Sequence, residues 1–455
     1  MLWNCFGAKP QTAEMNFSRA QTYLLGAINE SLSRRVPYRL ERMRALMREL
    51  GDPQENYPTV HVGGTSGKGS TSSMIAAALS ASGKRTGLHT KPHMRSVVER
   101  ARIDGTDISE DAFAEVLTAM LPAIERTTGA FGRPSYYETL LALAFVYFSL
   151  ERVDVAVIEV GVGGKLDGTN ILTPQVCAIT NIGLDHTDIL GDTIEEIAAD
   201  KAGIAKRGIP LVSAVEQSSA REIIAAQCRA TGAPFVPALE YARVGPHRDF
   251  ASGQGFTVTT PAASYEISLC LLGEFQKRNA ATAIAALEHL PATLRPAIEA
   301  VERGFAGAFL PGRMELFPAF PNVIFDIAHN ADKARHLVGS LRAKFPDRRF
   351  CFVLAVGESK DAHEILRAFT GLPATFIFTS FEIEGRVATK PQRLAGMAAD
   401  LGLGSRVIAD PVEALSVARR SARGEDVVVV TGSTFVVAQL REWWMGNVVA
   451  QESGV

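Results

Sequence analysis

Three observations predict an α/β fold in two domains: a P-loop-type, mostly parallel sheet ATPase domain, then a smaller Rossmann-like α/β domain. Short β-branched runs alternate with helix-length segments along nearly the whole chain, as when crossover helices join parallel strands. Val153–Val160 (VDVAVIEV) is almost continuously apolar, as a strand covered on both faces must be. Finally, a glycine-rich turn stands between a strand and a helix in Pro58–Thr90, and the strand–helix alternation restarts after GFAGAFLPG, Gly304–Gly312. The expected domains are 1–305 and 306–455.

Phe17–Gly51 reads as helical. Its Arg39–Leu50 portion carries Leu40, Met43, Leu46, Met47 and Leu50 on one stripe, and Gly51-Asp52-Pro53 ends it. Thr59–Val62 is the strand before the glycine-rich turn, and Lys68–Ser82 the proline-free helix behind it. Between them lie Gly63, Gly64, Thr65, Ser66, Gly67, Lys68, Gly69 and Ser70. Glycines let backbone N–H groups converge on an anion, and the helix N-terminus adds partial positive charge. Lys68 has the reach to meet outer phosphates, and Ser70 a hydroxyl for Mg2+. Gly69 intervenes between the lysine and the hydroxyl residue, so the strict G-x-x-x-x-G-K-[ST] pattern is not met.

A basic, irregular stretch follows the strand Arg85–Thr90, from Lys91-Pro92-His93 to Gly105, and reads equally as a receptor for an anionic substrate or as plain loop. Ser135–Leu150 is a buried apolar helix. The strand that ends near Glu159 runs into Gly161–Asn170 (GVGGKLDGTN), and the strand Val176–Thr180 runs into Asn181–Thr187 with Asp185 and His186. Ligands in open parallel sheets sit at the carboxyl ends of strands, so the phosphate turn, Glu159 and Asp185-His186 are expected around one crevice. Thr193–Lys206 reads as a helix carrying Asp200-Lys201, and by composition alone Lys201 is surface charge. Phe256–Leu269 has the alternation of a hairpin, and Glu274–Leu290 is helical. In the second domain, Val323–Asp326, Phe350–Val356, Thr375–Thr379 and Val427–Thr431 are strands. Ala331–Lys344, Ala362–Phe369, Val412–Ser421 and Phe435–Trp444 are helices.

A net charge of −2 gives no electrostatic case for nucleic acid or an anionic membrane. Five scattered cysteines with no C-x-x-C read as reduced thiols. No apolar run has the length of a membrane span, and none opens the chain as a signal peptide would, so a cytoplasmic protein is expected, and it is taken to be a monomer.

A nucleotide phosphate turn beside acidic and histidine residues points to Mg2+-dependent phosphoryl transfer. The chain resembles the folylpolyglutamate synthase/dihydrofolate synthase family, a branch of the Mur-type ATP-dependent ligases. The resemblance rests on RLERMRALMRELGDP, HVGGTSGKGST, TKPHMRSVVERARIDG, VIEVGVGGKLDGTN, ITNIGLDHTDILG, DKAGI, FQKRNAATAIAAL, LPGRMEL, FDIAHN and VVVVTGSTFVVA, in that order. It implies that ATP phosphorylates a carboxylate of a pterin or folate substrate and that L-glutamate displaces the phosphate. It also implies that Gly64, Thr65, Gly67, Lys68, Gly69 and Ser70 cradle ATP. Ser70 and Glu159 would hold one Mg2+, and Glu159 and His186 a second, beside a carbamylated Lys201. Asn279 would contact adenine, Arg313 a phosphate, and Asp326 and His329 ATP and the reacting groups. His93 and Asp167 fall on the folate side, and Ser433 in the glutamate pocket. The form KLDGTN favours both dihydropteroate and reduced folates as acceptors. Lys91 stands where serine is usual, Gly168 where alanine is common, and Ile327 where glycine is frequent. A cell-wall Mur ligase is disfavoured because little chain precedes the phosphate strand, and a Rossmann dehydrogenase because no G-x-G-x-x-G follows a strand in the second domain. A nucleotide-dependent binding protein without catalysis is disfavoured by the presence of Ser70, Glu159, His186 and Lys201 together.

Overall fold

The computed structural model describes residues 15–33, 40–250, 253–319, 321–383 and 386–449. The chain forms two compact units. The first takes the described residues up to His247, then Phe256–Ser268 and Lys277–Ala308; the second takes Arg248–Gly255, Leu269–Gln276 and the described residues from Phe309 on. A single crossing near residue 305 was expected. The two early returns have a local cause: within the second unit the Gln254 amide donates to Leu271 O at 2.6 Å and Gly273 O at 3.1 Å. The Lys344 ammonium likewise donates to Phe250 O at 2.8 Å.

The strands of the first unit's main sheet are β1 (Thr59–Gly63), β2 (Thr86–His89), β3 (Arg102–Ile103), β4 (Thr106–Asp107), β5 (Val155–Glu159), β6 (Val176–Ile179), β7 (Leu211–Ser213) and β8 (Phe235–Pro237). They lie in the order β4-β3-β2-β5-β1-β6-β7-β8. All pairs from β2 to β8 are parallel, while β3 and β4 add an antiparallel edge. That edge begins within the stretch read as irregular, which ends at Gly105, and is completed by β4 just beyond it. Register decides where the site forms: Val62 pairs with Glu159, Gly63 with Ile179, and His89 with Ile158. The segments leaving β1, β2, β5 and β6 therefore emerge on one edge.

Helices Leu40–Glu49, Glu110–Phe131 and Tyr136–Leu150 pack with Ala156 and Ile158 into one core, and Ile197, Ala198 and Ile224 join Cys177, Ile179 and Leu211 in another. Within the first core, Arg42 and Glu138 form a buried ion pair at 2.8 Å. Glu138 also completes the N-terminal cap of its own helix by accepting Ser135 N at 2.8 Å. The long helix Glu110–Phe131 was not among the expected elements. The helix Lys68–Ala81 meets Ile298–Gly307, where Gly304 lies so near Ala78 that a Cβ would stand 2.5 Å from its backbone.

The expected hairpin is a three-stranded antiparallel meander, β9 (Arg243–Phe250), β10 (Gly253–Thr259) and β11 (Ser264–Leu269), ordered β11-β10-β9. The second unit's sheet comprises β12 (Glu315–Phe317), β13 (Asn322–Phe325), β14 (Phe350–Leu354), β15 (Ala374–Phe378), β16 (Ser405–Val407) and β17 (Val427–Thr431), in the order β12-β13-β17-β14-β15-β16. Only β12 runs antiparallel. Phe352 and Phe376 stack at 5.1 Å between centroids in its core, with Phe369 and Phe378 beside them. Helix Pro391–Asp400 and strand β16 were not anticipated. Among the described residues, no helix is long and apolar enough to cross a membrane.

Candidate active site

The turn after β1 opens a helix at Gly67 with no side-chain cap. Gly67 caps the helix Lys68–Ala81 at φ 82°, and no acidic residue occupies the first turn. The positive φ and the nearness of Asn279, whose Oδ1 a Cβ on Gly67 would strike, both require glycine there. The loop after β6 braces the turn. Thr65 N donates to Asn181 O at 3.0 Å, and Ser66 N donates to Asn181 Oδ1 at 2.7 Å. The Thr180 hydroxyl donates to Ser66 O at 2.6 Å. The Thr65 hydroxyl donates to Gly183 O and accepts from Gly183 N. Lys68 folds back so that its ammonium donates to Gly64 O at 2.8 Å and Thr65 O at 3.1 Å, which lays its charge over the turn.

Beside this turn, at the end of β5, Glu159 is buried and its Oε2 accepts Lys91 N at 3.0 Å. No donor among the described residues reaches Glu159 Oε1. Ser70 is also buried. Lys201, at the end of the helix Ile194–Ala202, is buried, and its pKa falls to about 7. Burial is the main cause. The charge of Lys68 adds to it, Asp200 and Asp185 oppose it, and Lys91 lowers it further. The glycine loop after β5 packs on this turn: Lys165 N donates to Asp200 O at 3.0 Å, and a Cβ on Gly164 would stand 2.8 Å from Lys201 O. His186 differs in setting. It is exposed, at φ 53° ahead of the short helix Thr187–Leu190, and its N–H donates to Asp185 Oδ1 at 3.1 Å.

Asp167 is held internally. Its Oδ1 accepts the Tyr137 hydroxyl at 3.0 Å, the Thr169 hydroxyl at 2.6 Å and Thr169 N at 3.0 Å, and its Oδ2 accepts Val162 N at 2.8 Å. The Thr169 proton goes to Asp167, so His61 Nε2 donates to Thr169 Oγ1 at 2.8 Å. His93 Nδ1 accepts Arg100 Nε at 3.1 Å, so its own proton sits on Nε2. Burial, with Arg100 beside it, lowers its pKa to about 3 and keeps it neutral.

In the second unit, Asp326 is buried, accepting Met314 N and Ala328 N at 2.9 Å each. Burial raises its pKa, and the charge of Arg313 works against that rise. His329 Nδ1–H donates to Ile327 O at 2.8 Å while Nε2 accepts the Lys333 ammonium at 3.2 Å, which fixes the tautomer. Burial first and Lys333 second lower its pKa to about 3. Ser433 caps the helix Thr434–Trp444 by accepting Phe435 N at 3.2 Å.

The glycine turn, Ser70, Glu159, Lys201 and Asn279 thus all belong to the first unit, and Arg313, Asp326, His329 and Ser433 to the second. Sequence reasoning missed Thr180, Asn181 and Arg100. The available signal for the first two was their place at the end of a strand adjacent to the phosphate strand.

The braced glycine turn and the buried carboxylate stand at the ends of adjacent parallel strands, β1 and β5, and the chain that carries them matches ligases of the Mur type. Residues 62–287 match the Mur ligase middle domain, and residues 312–434 match the Mur ligase, glutamate ligase domain. A dihydrofolate synthase/folylpolyglutamate synthase of Bacillus subtilis is 32% identical over 413 residues, covering 89% of this chain and 94% of the relative. The Escherichia coli protein of the same name is 31% identical over 412 residues, 90% of this chain and 92% of its own. A Mycobacterium tuberculosis folylpolyglutamate synthase complexed with ADP superposes with a TM-score of 0.86 at 31% identity, covering 94% of this chain and 99% of that one. An E. coli FolC in complex with DHPP and ADP gives 0.83 at 28% identity, over 96% and 99%. The chain belongs to the dihydrofolate synthase/folylpolyglutamate synthase family of Mur ligases.

Proposed function

We propose that this chain is an ATP-dependent ligase that joins L-glutamate to a carboxylate of dihydropteroate or a reduced folate. The observation that carries this reading is the buried Glu159, with one oxygen unclaimed, beside a phosphate turn whose helix lacks any competing acid. Family membership and the ADP complexes of its relatives support it.

In the proposed reaction an acceptor carboxylate oxygen attacks the terminal phosphorus of ATP, ADP leaves, and an acyl phosphate forms. The amine of glutamate then attacks the acyl carbon, phosphate departs with the C–O bond, and the nitrogen gives up a proton to leave the amide. Residues Gly64–Ser70 bind the phosphates, with Lys68 on the outer ones. Asn279, held against Gly67, is assigned to the adenine. Arg313, Asp326, His329 and Ser433 are assigned to ATP, the reacting groups and glutamate, and His93 and Asp167 to the pterin end.

The donor set suits Mg2+. Glu159 and Ser70 offer hard oxygens, and Glu159 and His186 are assigned to a second ion near Lys201. Among the described residues no three His, Cys, Asp or Glu side chains cluster as a metal nest, so any Mg2+ held here would take part of its shell from water and nucleotide oxygens. The ions, when bound, neutralise phosphate charge during transfer. Lys201, with a pKa of about 7, carries enough free amine near neutrality to add CO2 and become a carbamate. A cytoplasmic, monomeric chain is proposed on the same reading.

The test is phosphate release and amide formation with dihydropteroate and with tetrahydrofolate, each with ATP, Mg2+ and L-glutamate. Product with either acceptor supports the reading, and the ratio sets the preference. No product with either overturns it.

A further inference from the structure

Lys91 has no place in the site assigned so far. It lies two residues beyond the end of β2, and β2 runs parallel to β5 with His89 opposite Ile158. That register brings Lys91 N to 3.0 Å from Glu159 Oε2, at the head of the adjacent strand. The side chain is half-buried, and among the described residues no acceptor lies within hydrogen-bond distance of its ammonium.

The charge most strongly felt at Lys91 is that of another cation, Lys68, ahead of Glu159 and Asp167, and Lys91 is felt in turn at Lys201. Lys68 is the residue whose ammonium overhangs the phosphate turn. Like charges held together in a partly desolvated site raise the free energy of the empty protein. Of the nearby carboxylates, Asp167 already accepts four internal hydrogen bonds and Glu159 is claimed on one side by the Lys91 backbone. Lys91 thus feels the charges of both Lys68 and Arg100, and a ligand with several negative charges would relieve that repulsion.

We propose that Lys91 is a second phosphate-binding cation, whose ammonium meets the terminal phosphate of ATP beside that of Lys68. This rests on the ATP-dependent reading above and adds a residue to it. Lys68 grips the phosphates from the turn, and Lys91 reaches the same group from the β2 side. Two converging ammonium groups favour a triphosphate over a diphosphate, which promotes loading with ATP and release of ADP.

The experiment is calorimetric titration of the full chain, with Mg2+ present, using a non-hydrolysable triphosphate analogue (AMPPCP) and, separately, ADP. In Lys91→Met the analogue should bind about tenfold more weakly, as expected for one lost charge-assisted hydrogen bond, with ADP within about twofold of wild type. Lys91→Arg, which keeps the charge, should recover most of the loss. Equal weakening for both nucleotides, or an unchanged analogue affinity in Lys91→Met, overturns the assignment of Lys91. Failure of the wild-type chain to bind either nucleotide overturns the ATP-dependent reading itself.

Discussion

Asn181 holds two successive residues of the same turn: its side-chain Oδ1 accepts Ser66 N at 2.7 Å and its backbone O accepts Thr65 N at 3.0 Å. The phosphate turn is therefore a two-strand structure, shaped as much by the end of β6 as by its own glycines. Asn181→Ala removes the side-chain acceptor and leaves Ser66 N seeking another. The expected outcome is a loss of about 1 kcal/mol in stability with a larger proportional rise in the ATP KM than fall in kcat, checked by thermal melts and steady-state kinetics.

Gly67→Ala tests the cradle directly. The position has φ 82° and no room for a Cβ beside Asn279 Oδ1. Left-handed backbone costs a non-glycine residue about 1–3 kcal/mol, and Asn279 must also move. A lower melting temperature and loss of ADP binding should appear together. ADP binding at wild-type strength would show that the turn does not hold the phosphates.

Lys201 links pH to both stability and chemistry. Its folded pKa of about 7 lies below the ordinary lysine value of about 10.4, so in that window the unfolded chain binds the extra proton. This group's contribution to stability therefore rises as pH increases from about 7 to about 10, and the strain is fully present below pH 7. Lys201→Met should flatten that part of the profile in urea titrations at stepped pH. Lys201→Ala should abolish ligation with the fold retained, and formate or acetate should restore part of it. Full activity in the alanine variant would remove the carbamate.

The Arg42–Glu138 pair, buried at 2.8 Å, makes a prediction about the scaffold alone. Arg42→Met strands the carboxylate in the core and should cost about 3–5 kcal/mol. Adding Glu138→Leu removes the stranded charge and should return much of that loss, apart from the Ser135 N cap that Glu138 also supplies. Denaturant melts of the two variants decide it.

The parts of the site legible in the sequence are local ones. Gly64–Ser70 can be read because strand, turn and helix are consecutive, and Glu159 because it closes an apolar run. The brace from Asn181 could not be read, since it joins residues 115 positions apart and depends on β6 lying next to β1. Lys201 looked like surface charge because nothing in its own segment reveals that Gly164 and Lys165 close over it. In the second unit the parallel core was visible as buried runs, whereas β16 is mostly exposed and carries little apolar signal. The meander gained β9 because polar residues such as Arg243, His247 and Arg248 hide its alternation.

The two early excursions of the chain into the second unit, Arg248–Gly255 and Leu269–Gln276, bear on how the protein can be taken apart. A gene cut after Ala308 would place both excursions on the wrong polypeptide and leave the Lys344 ammonium without its carbonyl partners. Dissection into two autonomous fragments by one break is therefore not available, and any truncation or split-protein design has to keep residues 248–276 in the same molecule as the C-terminal sheet.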